Sequence, residues 1–276
     1  MNPETFTVFK NFIESNLGIK IPLSKKIMLE SRLSKRLRAL KMTSYEEYCD
    51  YVFSENGFAR EVQQLIDVVK TNETDFFREN IHFEILAGQI LPELIVGKKT
   101  QELNLWSVAA STGQESYTLA MVVEDFFVSN PSFRYRILGT DISEKVLRIA
   151  ETGIYPENQI KKIPSRMKMT YCLKSRSRED KTIRFKPELR EKIMFRKMNL
   201  MDDEYPIRKK YHIIFCRNVF IYFDRETQKK VLERIYSHMA PGGYLFMGHS
   251  ENIGNIQLPL TVVASAVYKN TAQEKI

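Results

Sequence analysis

The sequence predicts an α/β protein with a doubly wound, mostly parallel sheet, an N-terminal all-helical domain and a small inserted antiparallel β subdomain. Helical periodicity runs through the first 75 residues, and short apolar runs alternate with helical stretches from about residue 100. Such alternation is typical of parallel sheets with helices on both faces. It is interrupted between residues 155 and 192. We therefore place the helical domain at residues 1–75 and the sheet domain at residues 76–276, with the insertion at about 155–192.

The helical domain is predicted by apolar stripes at helical spacing. One stripe consists of Leu29, Leu33, Leu37 and Leu40, and another of Phe58, Val62, Leu65, Ile66 and Val69. Between them, Ser44 and Glu47 offer a capping box for a further helix. Arg32, Lys35 and Arg36 lie on another face from the leucines, so we expect their positive charge to be displayed.

Six apolar or β-branched runs predict the strands of the main sheet. They are residues 103–108, 135–140, 193–197, 211–216, 243–248 and 261–268, and the helices between them are predicted at 115–127, 143–151 and 224–239. The Pro-Gly-Gly stretch at 241–243 is expected to break the chain before an antiparallel final pair of strands. In the insertion, residues 169–174 and 181–186 predict a basic hairpin around the polar turn 175–180.

Composition excludes several classes of protein. The 276 residues include three cysteines without metal-ligand spacing, so we expect neither a metal site nor disulfides. The sequence shows no secretory signal peptide and no apolar run long enough to span a membrane, so we expect a cytoplasmic protein. The net charge of +8 is concentrated in residues 20–41, with eight Lys or Arg against one acid, and in residues 160–198, with fourteen against four. Such patches suggest an acidic partner, either nucleic acid, anionic lipid or acidic protein.

Two turns at the ends of predicted strands suggest a nucleotide site. The first strand runs into the small residues 109–113 ahead of a helix, and the second ends at Asp141, which is able to accept hydrogen bonds from ribose hydroxyls. Only Gly113 in the first turn is glycine, which argues against a dinucleotide because its pyrophosphate requires further glycines. An adenosyl ligand is indicated, with S-adenosylmethionine favoured.

Longer motifs resemble one family. Residues 71–79 (TNETDFFRE), 111–117 (STGQESY), 215–224 (FCRNVFIYFD) and 248–252 (GHSEN) are similar, in order, to motifs of the CheR family of chemotaxis receptor methyltransferases. Gln114 and Ser116 stand where the family loop has glutamate and proline. The turn 175–180 lacks the glycines of members that bind a receptor's C-terminal peptide, which leaves that interaction open.

The resemblance implies a site and partners. It implies a Rossmann-like methyltransferase that uses S-adenosyl-L-methionine, releases S-adenosyl-L-homocysteine and esterifies glutamates on the helical bundle of methyl-accepting chemotaxis receptors. The residues implied to line the cofactor site are Asn72, Thr74, Arg78, Glu115, Asp141, Asn199, Leu200, Arg217 and Asn218, and Gly113 belongs to the same loop as Glu115. We expect a monomer that reaches the membrane only through receptors and has no role on nucleic acid.

The chemistry requires alignment more than proton transfer. A glutamate carboxylate is already ionised at neutral pH and needs no general base. Arg78, whose planar guanidinium can hold a carboxylate, and Tyr222, which follows the fourth strand, are the candidate catalytic residues.

Two alternatives remain open from the residues alone. An RNA methyltransferase with Cys216 as nucleophile would use the same cofactor and the basic patches. A non-catalytic S-adenosylmethionine sensor would keep the pocket without the reaction.

Overall fold

The computed structural model describes residues 1–70, 72–96, 102–130, 132–177, 179–254 and 256–272. The chain divides into two compact units. One consists of Met1–Asn72, Asn199–Asp203 and Tyr222–Gln228, and the other of Glu73–Met198, Glu204–Ile221 and Lys229–Ile276. Within the described residues, no helix is both long and apolar enough to cross a membrane.

The first unit is a bundle of four helices. They are α1 (Pro3–Leu17), α2 (Lys26–Leu40), α3 (Tyr45–Val52) and α4 (Glu55–Val69). Ser44 caps α3 by accepting from the Glu47 backbone N–H at 3.1 Å, while the Glu47 carboxylate accepts from the Thr43 N–H at 3.0 Å. The predicted capping box is therefore present, except that the Glu47 carboxylate accepts from the N–H of Thr43 instead of that of the N-cap residue Ser44.

The positive face predicted on α2 is displayed only in part. Arg36 donates from Nε to Glu61 Oε1 at 2.6 Å and from Nη2 to Oε2 at 3.0 Å, and the Glu61 side chain is only 4% exposed. The Tyr48 hydroxyl also donates to Glu61, at 3.1 Å. Arg32 donates to the Val69 carbonyl, which leaves Lys35 as the exposed member of the three. The expectation was wrong because spacing shows which face a residue lies on but not that an acid of another helix packs there.

The buried stripe of α4 also differs from the prediction. It consists of Gly57, Glu61, Leu65 and Val69, every fourth residue, whereas Phe58 is 44% exposed. The arginine of α2 explains the shift, because its partner Glu61 must face the bundle interior to neutralise it.

The second unit contains a seven-stranded sheet in the order β6-β2-β1-β7-β8-β10-β9. The strands are β1 (Glu102–Val108), β2 (Arg134–Asp141), β6 (Ile193–Lys197), β7 (Tyr211–Cys216), β8 (Met239–Met247), β9 (Leu260–Ala264) and β10 (Val267–Asn270). The first five in chain order pair in parallel, and the last two are antiparallel. The predicted doubly wound, mostly parallel sheet is confirmed.

The helices of this unit surround the sheet and precede it. They are α5 (Ile81–Ile85), α6 (Leu91–Ile95), α7 (Gln114–Val128), α8 (Glu144–Thr152), α9 (Ser165–Tyr171) and α10 (Pro187–Arg190); a π-helical turn (Leu86–Ile90) joins α5 to α6. Helix α11 (Arg225–Ser237) links β7 to β8. Ten residues of α7 are buried, so the helix packs on all sides.

The insertion forms a three-stranded antiparallel sheet in the order β3-β5-β4, which confirms the predicted β subdomain. Its strands are β3 (Ile154–Pro156), β4 (Cys172–Lys174) and β5 (Thr182–Phe185). Residues 169–171 were predicted as strand but finish helix α9, whose Arg, Met and Lys side chains favour a helix. Phe76 packs on Tyr155 and Phe185 of this sheet, with ring centroids 5.1 and 5.7 Å apart.

Two predictions near the C-terminus need correction. The stretch 241–243 lies inside β8 rather than before it, and the pairing register with β7 shifts between Tyr211 and Ile213. The single run 261–268 is two strands joined by a tight turn, in which Ala266 has φ 55°. Apolar periodicity continues through such a turn and therefore cannot reveal it.

Candidate active site

The site lies where the order of the strands reverses. From β1 the chain passes to β2 and β6 on one side, and to β7 and β8 on the other. Val108 at the end of β1 is in register with Thr140 of β2 and with Cys216 of β7. The residues that follow these three strands therefore share one edge, at the switch point where open α/β sheets bind ligands.

The turn after β1 has an unusual backbone. Ala109 and Ser111 have φ of 54° and 51°, and Gly113 has φ of 95°. A Cβ at Gly113 would come within 2.8 Å of Ala150 Cβ and 2.9 Å of the Tyr155 hydroxyl, so glycine is needed both for conformation and for space. Left-handed non-glycine residues are costly and concentrate at functional sites.

Asp141 shapes this turn from the end of β2. Its Oδ2 accepts from the Ser111 N–H at 3.0 Å, and its Oδ1 accepts from the Ser143 N–H at 2.9 Å. Ser143, not Asp141, caps α8 by accepting from the Val146 N–H. Asp141 thereby connects the turn after β1 to the residue that caps α8.

Glu115 and Arg217 join the ends of β1 and β7. Arg217 Nε donates to Glu115 Oε2 at 2.8 Å, and the Ser107 hydroxyl donates to Oε1 at 2.7 Å. The Arg217 side chain is 2% exposed and lies over the rings of Phe83 and Phe215. A buried guanidinium of this kind is stable only when it is paired and hydrogen-bonded.

Further partners of Arg217 come from the segment that follows Arg78. Nη1 donates to the Arg78 carbonyl at 2.8 Å and lies 3.2 Å from His82 Nδ1 and 3.5 Å from Glu79 Oε2. Since a guanidinium only donates, His82 accepts through Nδ1 and carries its proton on Nε2. Burial, and next the charge of Arg217, lowers the pKa of His82 from 6.5 to about 4, so the imidazole is neutral at physiological pH.

Asn218 follows Arg217 with φ 58°, and Glu251 fixes its turn. The Glu251 carboxylate accepts from the backbone N–H groups of Asn218, Phe220 and Gly248, each at 2.7 Å, and from that of Ile221 at 3.3 Å. The Asn218 side chain donates to Glu79 Oε1 at 3.2 Å. Glu251 thus organises the turn, and Glu79 orients the amide within it.

Arg78 lies between two more left-handed residues, Phe77 and Glu79, both with φ of 53°. Its Nη1 donates to the Glu73 carbonyl at 2.9 Å, and its side chain is half-buried. Thr74 is half-buried on the same segment. Five of the seven positive-φ non-glycine residues among the described residues thus lie in the turns that hold Arg78, Gly113 and Asn218.

The structure brings together Arg78, Glu115, Arg217 and Asn218 in one bonded network, and Asp141 with the adjacent turn of Gly113. The other predicted site residues, Asn72, Asn199, Leu200 and Tyr222, belong to the first unit. There, Asn199 donates to the Asn16 carbonyl at 2.8 Å, and the Tyr222 carbonyl accepts from the Lys20 N–H at 3.0 Å. Their proposed contacts with a cofactor stay predictions.

Sequence reasoning missed three members of this network: Glu79, His82 and Glu251. Glu79 is the last residue of the TNETDFFRE motif, and Glu251 is the glutamate of GHSEN. The signal was therefore available in the motifs. His82 lies outside all four motifs, and its contact with Arg217 could not be inferred from its position in the sequence.

Glu79, His82 and His249 have ligand atoms close enough to suggest a metal site. The rings of the two histidines stack 4.6 Å apart. The Arg217 guanidinium, however, contacts both Glu79 and His82, and a divalent cation there would meet a buried positive charge. We therefore interpret Glu79 and His82 as hydrogen-bond and ion-pair partners of Arg217 rather than as metal ligands.

A separate groove of about 450 Å³ contains none of the predicted site residues. Its lining includes five cations, Arg136, Lys192, Arg196, Arg208 and Lys209, against Glu102 and Glu191. Part of the positive charge seen in the sequence between residues 160 and 198 is therefore displayed here, on the β2–β6 side of the sheet.

Comparison with known families decides the assignment. A model described as CheR methyltransferase, all-alpha domain, matches residues 4–69, and one described as CheR methyltransferase, SAM binding domain, matches residues 72–269. The chain belongs to the CheR methyltransferase family. Its cofactor is therefore S-adenosylmethionine.

Several curated relatives align with most of this CheR-family chain. The chemotaxis protein methyltransferase of Borreliella burgdorferi is 38% identical, over 93% of this chain and 90% of that protein. Chemotaxis protein methyltransferase 1 of Pseudomonas aeruginosa is 35% identical over 91% of each chain. The Escherichia coli chemotaxis protein methyltransferase is 34% identical over 95% of this chain and 89% of that protein.

The network suits the chemistry of this cofactor. S-adenosylmethionine carries an ammonium, a sulfonium and vicinal ribose hydroxyls, which call for carboxylate acceptors. Asp141 is a buried carboxylate at the switch point, and Glu115 and Glu79 are two further carboxylates of this edge whose side chains are 11% and 16% exposed. The predicted nucleophile of the RNA alternative, Cys216, is fully buried on β7, and burial raises the pKa of its thiol well above the usual value.

Proposed function

We propose that this chain transfers the methyl group of S-adenosylmethionine to glutamate side chains of chemotaxis receptors, forming γ-glutamyl methyl esters. The observation that carries the proposal is the match of both CheR family models along the chain, residues 4–69 and 72–269. The intact network around Arg217 supports catalysis rather than a sensor that has lost the reaction, because the buried ion pair joins the turns that bear the predicted site residues.

In this proposal the protein aligns reactants and excludes water. Bound S-adenosylmethionine supplies an electrophilic methyl group on a sulfonium. Asp141 would hold the ribose hydroxyls, and Glu115 would hold the amino group of the cofactor's methionine part. Arg78 has N–H groups beyond the one that bonds Glu73, and these hold the substrate carboxylate. Holding the carboxylate oxygen in line with the methyl group would lower the activation free energy by several kcal/mol.

Four further residues are assigned to the cofactor or the substrate from the family motifs alone. Asn72, Asn199 and Leu200 are assigned to the cofactor, and Tyr222 is assigned to the methyl group or the substrate oxygen, on the strength of the family motifs. The same motifs support a division into a helical domain, residues 1–75, and a methyltransferase domain, residues 76–276. The proposed partner is the cytoplasmic helical bundle of receptors, so the protein would act in the cytoplasm as a monomer.

The test compares substrates directly. Purified protein is incubated with methyl-labelled S-adenosylmethionine and either receptor-enriched membranes or total RNA, and the products are treated with mild alkali. We expect label on receptor protein that alkali releases as methanol, because carboxyl methyl esters hydrolyse readily. Alkali-stable label in RNA nucleosides, with none on protein, would overturn the proposal.

The role of Arg78 is tested by Arg78→Lys. We expect kcat on receptors to fall about 100-fold, because lysine cannot reproduce the two-point contact with a carboxylate, while S-adenosylhomocysteine still binds. Arg134→Lys is the matched control, because Arg134 is an exposed arginine at the start of β2. Equal kcat in both variants would remove Arg78 from the mechanism.

A further inference from the structure

Glu79 occupies a central place in the network, although neither the adenosyl signature nor the catalytic assignment includes it. Its Oε1 accepts from the Asn218 amide at 3.2 Å. Its Oε2 lies 3.5 Å from Arg217 Nη1 and accepts from the His249 backbone N–H at 3.3 Å. One carboxylate thus contacts the turns that follow β7 and β8, and the left-handed backbone at Glu79 directs it there.

The charges around Arg217 do not cancel. Two carboxylates, Glu79 and Glu115, share a single guanidinium, and all three side chains are largely shielded from solvent. His82 contributes no charge at neutral pH. Glu251 is engaged by four backbone N–H groups, and the Arg78 guanidinium is directed to the Glu73 carbonyl. The Glu79–Arg217–Glu115 triad therefore carries a net charge of about −1 on side chains that are 16%, 2% and 11% exposed.

The reaction removes one positive charge from the cofactor. S-adenosylmethionine has a sulfonium, and S-adenosylhomocysteine has a neutral thioether in its place. The two molecules are otherwise alike, so a fixed negative charge near the site discriminates between them by electrostatics rather than by shape. Glu115 is itself assigned to the cofactor, whereas Glu79 contacts Arg217 and Asn218, two other residues of the proposed site.

We propose that Glu79 is a specificity-determining residue whose negative charge strengthens binding of the sulfonium cofactor relative to the neutral product. The inference rests on the proposed location of the cofactor at this edge of the sheet. Glu79 takes no proton and touches no reacting atom. Its charge keeps the triad negative, which favours loading with S-adenosylmethionine and weakens retention of S-adenosylhomocysteine after methyl transfer.

The experiment measures dissociation constants for both molecules by calorimetry at pH 8, where imidazoles are neutral. In Glu79→Gln, we expect the Kd for S-adenosylmethionine to rise about tenfold more than the Kd for S-adenosylhomocysteine. Glu79→Asp keeps the charge but shortens the side chain, so both constants should rise together and their ratio should stay within about threefold of wild type. Glu84→Gln, an exposed carboxylate on α5, is the matched control.

Each outcome bears on the proposal. A ratio that is unchanged in Glu79→Gln, with both affinities reduced equally, would reduce Glu79 to a structural contact and overturn the inference. If circular dichroism shows that Glu79→Gln does not fold, Glu79→Asp provides the test. A tenfold change in the ratio of the two dissociation constants in this variant, which keeps the charge, would also overturn the inference. Wild-type protein that binds both molecules but methylates no receptor would contradict the proposed function and leave the ratio test intact.

Discussion

Arg217 Nε lies 2.8 Å from Glu115 Oε2, and this ion pair joins the ends of β7 and β1. The pair lies where the strand order reverses, and its guanidinium has a further hydrogen bond to the Arg78 carbonyl. One buried arginine therefore holds three separate chain segments at the proposed cofactor site.

Replacing Arg217 by lysine should test that role. A lysine ammonium has its three donors on one nitrogen and cannot span the partners that Arg217 reaches through Nε and Nη1, so we expect a loss of about 2–3 kcal/mol in the free energy of unfolding. Urea denaturation measures this loss, and calorimetry should show weaker S-adenosylhomocysteine binding. Arg148→Lys on α8, where the arginine side chain is 78% exposed, should stay within about 0.5 kcal/mol of wild type. A similar small change in both variants would contradict the role.

Asp141→Asn should weaken cofactor binding. An amide nitrogen would face the N–H of either Ser111 or Ser143, which leaves a buried donor unsatisfied at a cost of about 1–3 kcal/mol. We expect the Kd for S-adenosylhomocysteine to rise at least tenfold as the turn after β1 loses its anchor. Asp180→Asn, at an exposed position in the β subdomain, provides the baseline. Unaltered affinity in Asp141→Asn would show that the ribose is held elsewhere.

Cys216→Ala separates the glutamate and cytosine mechanisms. The thiol is fully buried and its pKa is raised, so it is a poor nucleophile. We expect receptor methylation within about twofold of wild type and a stability loss of about 1 kcal/mol from the small cavity. Complete loss of methyl transfer by a folded Cys216→Ala protein would restore the covalent alternative.

The buried histidine predicts a pH dependence of stability. Because the pKa of His82 is about 4 in the folded protein against 6.5 in the unfolded chain, the unfolded state binds more protons between these values. The stabilisation is complete above pH 6.5 and is lost as pH falls towards 4, by about 3 kcal/mol at most. Glu79, Arg217 and His249 are the charged or titratable groups that face His82.

His82→Gln should flatten that dependence. Glutamine can still accept from Arg217 but does not titrate, so the free energy of unfolding from urea denaturation should vary less between pH 7 and pH 4.5. His238→Gln, which replaces a half-buried histidine after α11, should retain the wild-type slope. Identical slopes in the two variants would mean that another group controls acid sensitivity.

Arg36→Met should destabilise the helical unit. The substitution leaves the buried Glu61 carboxylate with the Tyr48 hydroxyl as its one remaining side-chain hydrogen-bond partner among the described residues, and we expect a loss of about 3 kcal/mol. Lys35→Met, at the exposed neighbouring position, should change stability by less than about 0.5 kcal/mol. Equal stability of the two proteins would show that the ion pair contributes nothing.

Much of the sheet could be predicted because burial on parallel strands gives short, continuous apolar runs. The strands Ile193–Lys197 and Tyr211–Cys216 match their predicted bounds. The turn at Ala266 and the helix that ends at Tyr171 were missed, since apolar runs continue through turns and local propensity can favour a helix within a predicted strand.

The site was predicted in part for a different reason. Asp141 and Glu115 stand at strand or helix ends, where position along the chain indicates chemistry. Glu79 and Glu251 act through partners 139 and 33 residues away, and no spacing rule reveals such contacts. The pairing of Arg36 with Glu61 was missed for the same reason.

Glu251 has a consequence for how the protein is made. It belongs to the turn after β8, yet its carboxylate bonds the backbone of Asn218, which a ribosome completes 33 residues earlier. The turn after β7 therefore stays without its organising acceptor until synthesis has passed residue 251 and that stretch has left the exit tunnel. A nascent chain can assemble β1, β2, β6 and β7 before then, but we expect it to bind ligand only after residue 251 has emerged.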